Sequence, residues 1–482
     1  MKYFLIMLLT GISFIYPQAQ AEKSSLIQTI INHTYNYEFD KADKLINEGL
    51  KKFPGSPKYY FLYIGNEMIK SMKYRDEAKV KDKQGITDSI NNLIIPFAEK
   101  AIDKFEDNTK TLEDKFFLGC IYGYLGRIHG IQGSWMSAFG TIKTGRNIME
   151  EVLEADSTYY DAYLVLGMVN YFADRMSGVV GIVASILGLS GDREVGLNYL
   201  KIAEKKGIYT SAQAAYILLE LYTRLENNEF AGIPYFERFV KQFPKNGHVK
   251  NWYCRELMDI NMIDKAAEVI ANDKDGVIDD YVMARFYNKT GNYKLSNERI
   301  ERIRKTKETY YNRYYEHALF LNAMNYIMLD DLKKVNEIKN ELSENFRPVF
   351  DELLANKYAA KEISKLGELI GQRGTEAEIH KIFASPPKLN GGDKFLAGML
   401  EYYKGVNYFQ SRNYSEAANI FNKLKSSKND FFTVESVKYL LEIYYNTNIS
   451  KSKAKSLIEF IDDLDNESLA YRAKDIEKKY KL

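Results

Sequence analysis

Two cysteines, five histidines and two tryptophans in 482 residues leave little material for several kinds of chemistry. Cys120 and Cys254 lie far apart, each inside an apolar helical pattern, and read as buried free thiols rather than as a bridge. His33, His129, His248, His317 and His380 are never within one helical turn of each other. With no cysteine cluster beside them, they offer no zinc site of familiar spacing. H-E-x-x-H and G-x-S-x-G are missing, and "GLSGD" lacks the glycine that a phosphate-cradling loop needs. No carboxylate pair stands out among the many acids. The chain therefore reads as a non-enzyme with no cofactor and no metal. A formal net charge of +2, with Lys and Glu interspersed, leaves no basic footprint for nucleic acid. The run "RDEAKVKDK" (75–83) reads as a solvated helix face.

Glycine and proline are sparse and alternating apolar and polar runs are absent, while apolar residues recur at three and four. That period predicts helix almost throughout, an all-α chain. The first residues, "MKYFLIMLLTGISFIYPQAQAEK", carry Lys2, an apolar run and Ala19-Gln20-Ala21. This pattern predicts a signal peptide over 1–21, cleavage after Ala21 and an exported protein, periplasmic, outer-membrane-associated or secreted. No cysteine follows the run to carry a lipid anchor.

The remaining chain repeats itself. "NYEFDKADKLINEGLKKFPGSPKYYF" (36–61), "NNEFAGIPYFERFVKQFPKNGHVKNWY" (227–253) and "SRNYSEAANIFNKLKSSKNDFF" (411–432) share one scheme. An aromatic in a short turn (Phe39, Phe230, Tyr414) precedes a small residue (Ala42, Gly232, Ala417) and then an apolar one (Ile46, Phe236, Phe421). In two copies a proline, Pro54 or Pro244, ends the helix. "YLVLGMVNY" adds Leu166 and Gly167, "FFLGCIYGY" Gly119 and Tyr122, and "YYKGVNYF" Gly405 and Tyr408. Fainter copies sit at "NMIDKAAEVI", "KTGNYKLSNERIERI" and "LDDLKKVNEIKNEL".

These segments resemble tetratricopeptide repeats, helix-turn-helix units of about 34 residues. The resemblance implies a right-handed solenoid of antiparallel helix pairs, each touching its neighbours and together forming a concave groove. It would run over 22–383, with a joint at 384–394, where Pro386-Pro387 and Gly391-Gly392 break the pattern, and further repeat-like helices over 395–482.

Two consecutive repeats are enlarged at the turn between their helices. Between Gly119 and Gly145 lie about fourteen extra residues, and between Gly167 and Gly196 about seventeen. Equivalent points of adjacent repeats are neighbours in space, so the insertions are expected to pack together. The first, with Gly126, Gly130 and Gly133, reads as two helices each longer by about two turns. It sets Trp135 and Phe139 on one face. The second, "MSGVVGIVASILGLSG" (176–191), sets Gly178, Gly181, Ser185 and Gly188 against Val179, Ile182, Val183 and Ile186. At about 24 Å as a helix it falls short of the roughly 30 Å hydrocarbon core, so it does not read as a membrane span. Ser190 or Asp192 would cap the next helix. The embellished pair, 112–207, is similar to a group of exported bacterial tetratricopeptide-repeat proteins, and more distantly to a eukaryotic repeat family linked to the mitochondrial outer membrane. The similarity implies an embellished solenoid and no chemistry.

The reading that follows is an exported scaffold binding a protein or peptide in the bacterial envelope, with Trp135, Phe139, Val179, Ile182, Val183 and Ile186 as candidate contacts. Two alternatives stay open. One is a peripheral membrane or outer-membrane assembly factor docking through 176–191. The other is a carbohydrate-binding module using some of the 38 tyrosines, although the repeat itself calls for aromatics in packing.

Overall fold

The computed structural model describes residues 26–176, 185, 188–344, 346–390, 394–427 and 429–482. Among the described residues every regular element is helical, and consecutive helices pack as neighbouring pairs. The N-terminal stretch 1–21 lies outside them.

One turn recurs along the chain. Helix 26–35 is joined to Phe39–Lys52 through three residues, the middle one, Tyr37, at φ 61°. The same three-residue link, with a left-handed central residue, joins Leu112–Ile131 to Trp135–Ala155 through Gly133, and Gly247–Asp259 to Ile263–Ala271 through Asn261. It joins Asp280–Lys289 to Tyr293–Lys305 through Gly291, Asn312–Met328 to Leu332–Lys339 through Asp330, and Lys394–Gln410 to Tyr414–Leu424 through Arg412. Asn227 and Asp465 hold the same place before Glu229–Gln242 and Glu467–Tyr480. In the six links from Tyr37 to Arg412 the left-handed residue turns the next N–H back onto the finished helix. Glu38, Ser134, Met262, Asn292, Asp331 and Asn413 all donate to the carbonyl five residues earlier, at 2.7 to 3.0 Å. This is the Schellman closure, which satisfies carbonyls that a helix end leaves open. Here the residue after it already starts the partner helix, so a single device stops one helix and aims the next.

Helix starts are set by short polar side chains. Asp192 accepts from Val195 N at 2.9 Å and caps Arg193–Lys206, which selects it over Ser190. Thr111 does the same for Leu112–Ile131. Phe39–Lys52 and Glu229–Gln242 stop just short of Pro54 and Pro244.

Pairs cross through small residues. Ala42 and Ala417 are fully buried beside buried Ile46 and Phe421. A Cβ on Gly232 would come within 2.8 Å of Thr223, and one on Gly405 within 2.9 Å of Phe421. The aromatics Phe39, Phe230 and Tyr414 open the helices rather than lie in the turns before them.

The chain forms two compact units. The first runs to Leu218 and takes in Arg238–Asn246; the second comprises Leu219–Glu237 and Gly247–Leu482. Of the expected 384–394 joint, residues 385–390 are non-helical after Glu376–Ala384 and lie inside the second unit, and 391–393 lie outside the described residues.

Each unit also closes on itself, beyond the neighbour-to-neighbour stacking expected of a plain array. In the first, the Tyr35 ring packs on Phe239 and Phe243, Asn246 donates to Tyr35 O at 2.9 Å, and Lys245 pairs with Glu38 at 2.7 Å. In the second, Arg472 donates to Asn227 O at 2.8 Å and Lys438 pairs with Glu229 at 2.5 Å. Gln410 donates to Asn261 O at 3.0 Å, and Tyr293 donates to Glu368.

Candidate functional site

The enlarged hairpin is one long antiparallel pair, Leu112–Ile131 and Trp135–Ala155, of 20 and 21 residues. Its glycines divide their work. A Cβ on Gly126 would stand 2.5 Å from Ile142, and one on Gly145 would stand 3.2 Å from Gly119 O, so these two permit the close crossing. Gly133 instead supplies the left-handed residue of the tip, at φ 75°. Trp135 and Phe139 are adjacent, ring centres 6.3 Å apart, but they do different things. Phe139 is core at 1% exposed, whereas Trp135 is 43% exposed beside Ile131 at 64% and Met136 at 67%. The tip is therefore an open apolar patch.

Val179, Ile182, Val183 and Ile186 lie outside the described residues. At the edge of that insertion, Arg146 on the long hairpin donates to Gly188 O at 3.3 Å, and Leu189 is buried.

Cys120 and Cys254 are free and buried, and burial pushes the Cys254 thiol up to about 12. The histidines do not gather: His33 meets Glu38 at 2.6 Å and His317 shares a hydrogen bond with Tyr281 at 3.0 Å. Among the described residues there is no group of three metal-capable side chains, and no helix is long and apolar enough to cross a membrane. Tyr171, Tyr253 and Tyr439 are among the largest fully buried side chains, so those tyrosines serve packing.

A second feature, in the second unit, escaped the sequence. A cavity of about 240 Å³ opens between helices Asp280–Lys289, Asn312–Met328, Lys357–Leu369 and Lys394–Gln410. Half-buried Phe320, Met324, Phe395 and Met399 line its apolar side. Lys289, His317 and Glu368 line the polar side.

The charges there are poorly solvated. Burial, and then the Arg285 guanidinium, push Lys289 down to about 8. Burial and Arg285 push His317 down to about 3, so the ring is neutral. Burial lifts Glu368 to about 7 against the opposing Tyr293 hydrogen bond and the Lys365 and Lys289 charges. Behind Lys289, Arg285 is held by Asp259 at 2.5 Å. Burial raises Asp259 and the nearby arginine more than offsets it, so its carboxyl sits below the usual range.

Lys289 Nζ donates to Asn261 Oδ1 at 3.1 Å. Among the described residues no carboxylate comes within ion-pair distance of it. The cavity thus presents a cation with unused donors beside an apolar wall, the arrangement of a small-molecule site. No local spacing announced it, since its polar members come from three helices well separated in sequence. Neither a family model nor a curated protein sequence matches the chain.

Proposed function

We propose that the chain is an exported, non-enzymatic scaffold of the tetratricopeptide-repeat type that binds a protein or peptide partner in the bacterial cell envelope. The three-residue turn and the small-residue crossings support the repeat reading, because the same link and the same kind of contact recur within several helix pairs along the chain. The observation that carries the binding reading is the tip of the enlarged hairpin. A hairpin of this length exceeds what a repeat needs, and it ends in three exposed apolar side chains, Ile131, Trp135 and Met136. Exposed apolar groups kept together at the end of a rigid element mark an interaction surface.

A photo-crosslinking amino acid at Met136, in the chain expressed in its own envelope, tests this. The expected result is recurrent capture of one protein, lost when Ile131 and Trp135 are both replaced by Asp. Failure to capture any recurrent protein would sink the scaffold reading. The same tip suits a lipid surface, so flotation with liposomes that depends on Ile131 and Trp135 would move the reading to a peripheral membrane factor.

A further inference from the structure

The second unit carries a site independent of the hairpin tip. We propose that the cavity of about 240 Å³ binds a compact monocarboxylate, with its carboxylate on Lys289 Nζ and an aromatic or branched apolar body among Phe320, Met324, Phe395 and Met399.

Three observations support this. The first is the unused capacity of Lys289. An ammonium has three donors. One goes to Asn261, and Arg285, which acts on Lys289 as a second cation, is already committed to Asp259. Asp259 and Glu368 offset the burial cost of this half-buried cation only in part, and an incoming carboxylate lowers the rest with a charge-assisted hydrogen bond. The second is the chemistry of the remaining polar wall. Glu368 receives the Tyr293 hydroxyl and, lifted to about 7 first by burial, carries a proton below neutral pH. In that form it offers a donor to a ligand oxygen. His317 is neutral and held by Tyr281, so the wall adds no competing cation.

The third is size and adaptability. An apolar cavity of about 150 Å³ takes benzene, so the same scale allows about ten non-hydrogen atoms here. That is a ring with a short acid arm, well below a drug-sized ligand. Met324, Met328 and Met399 adjoin the space, and methionine side chains adapt to irregular apolar shapes. A long-chain fatty acid is too large for the volume. A cationic ligand would meet Lys289.

The test is calorimetric titration of the purified chain with 3-phenylpropanoate, its amide and 3-phenylpropylamine. The proposal expects the acid to bind at least tenfold tighter than the amide, and the amine to bind more weakly still. Lys289→Met is expected to weaken the acid at least tenfold and leave the amide within about twofold. Met324→Trp fills the apolar side and is expected to abolish binding of both.

Because Lys289→Met also removes the bond to Asn261, its helicity and melting are measured first. If it does not fold, Met324→Trp and the acid-to-amide ratio of the unaltered chain decide alone. Equal affinity for acid and amide overturns the proposal. So does retained acid binding in Met324→Trp, or in a folded Lys289→Met variant. Absence of binding by 3-phenylpropanoate and by cyclohexanecarboxylate overturns it as well.

Discussion

Gly167 and Gly196 face each other across the crossing of helices Tyr163–Arg175 and Arg193–Lys206, where a Cβ on Gly196 would stand 2.9 Å from the Gly167 carbonyl oxygen and 2.6 Å from Tyr171 N. Both obstacles are backbone, so neither can rotate aside. Gly196→Ala is expected to destabilise the chain by about 1–3 kcal/mol through forced separation of the two helices. Gly140→Ala lies in an exposed helical position with open space around it, and is expected to stabilise by about 0.5–1 kcal/mol. Urea midpoints of the two variants, at unchanged slope, check the pair. A neutral Gly196→Ala would mean that the crossing is looser than the distances say.

Arg412 occupies the left-handed position of its turn at φ 60° with an exposed side chain. A side chain pays about 1–2 kcal/mol in that conformation and glycine does not. Arg412→Gly is therefore expected to raise stability by about 1 kcal/mol, after part of the gain is lost to the freer unfolded chain. Gly291→Ala, at φ 74°, is expected to lower it, since the new Cβ is also 3.1 Å from a Glu368 carboxylate oxygen. Thermal unfolding of both variants should move in opposite directions.

These turns show how far local sequence reaches. Asn227, Asn261, Gly291, Asp330 and Asp465 are residue types that tolerate the left-handed region, so their turns are marked in the sequence. Tyr37 and Arg412 adopt the same φ with no such mark, and only their place in the repeat gives them away. The crossing glycines were legible because close approach admits few residue types. The tip was half legible: a spacing of four puts Trp135 and Phe139 on one face, but it does not tell that Phe139 is buried and Trp135 stays open. The cavity was not legible, because Lys289, His317 and Glu368 belong to three helices well separated in sequence.

Glu38 is held down to about 2 by hydrogen bonds from Lys245, then His33 and Lys41, and Lys245 is one of the contacts that close the first unit. A carboxyl depressed in the folded state contributes stability above its unfolded value near 4.5, and loses it as pH falls toward 2. Lys245 is exposed, so screening limits the contribution to about 0.5–1 kcal/mol. Glu38→Gln is expected to be less stable than the parent at pH 7 by that amount and equal to it near pH 2. Urea titrations at the two pH values check it; a difference that persists in acid would assign the effect to packing instead of charge.

Glu368 and Lys289 make the opposite kind of contribution, and from opposite ends of the pH scale. Glu368 is raised to about 7 from 4.5, first by burial. The folded chain therefore holds a proton that the unfolded chain releases, and stability present below about 4.5 is lost as pH rises through 7. Gln keeps an oxygen for the Tyr293 hydroxyl and carries no charge. Glu368→Gln is expected to match the parent at pH 4 and to exceed it by about 1–3 kcal/mol at pH 8. Lys289 is lowered to about 8 from 10.5, again first by burial. Its burial cost is full below 8 and vanishes above about 10.5. The charge relief in Lys289→Met should therefore grow as pH falls, offset by a constant loss from the Asn261 bond. Opposite slopes in the two difference curves, read by urea unfolding across pH 4 to 10, would place both groups in one poorly solvated space. Two flat curves would show that water reaches both charges and that the cavity is wetter than its lining suggests.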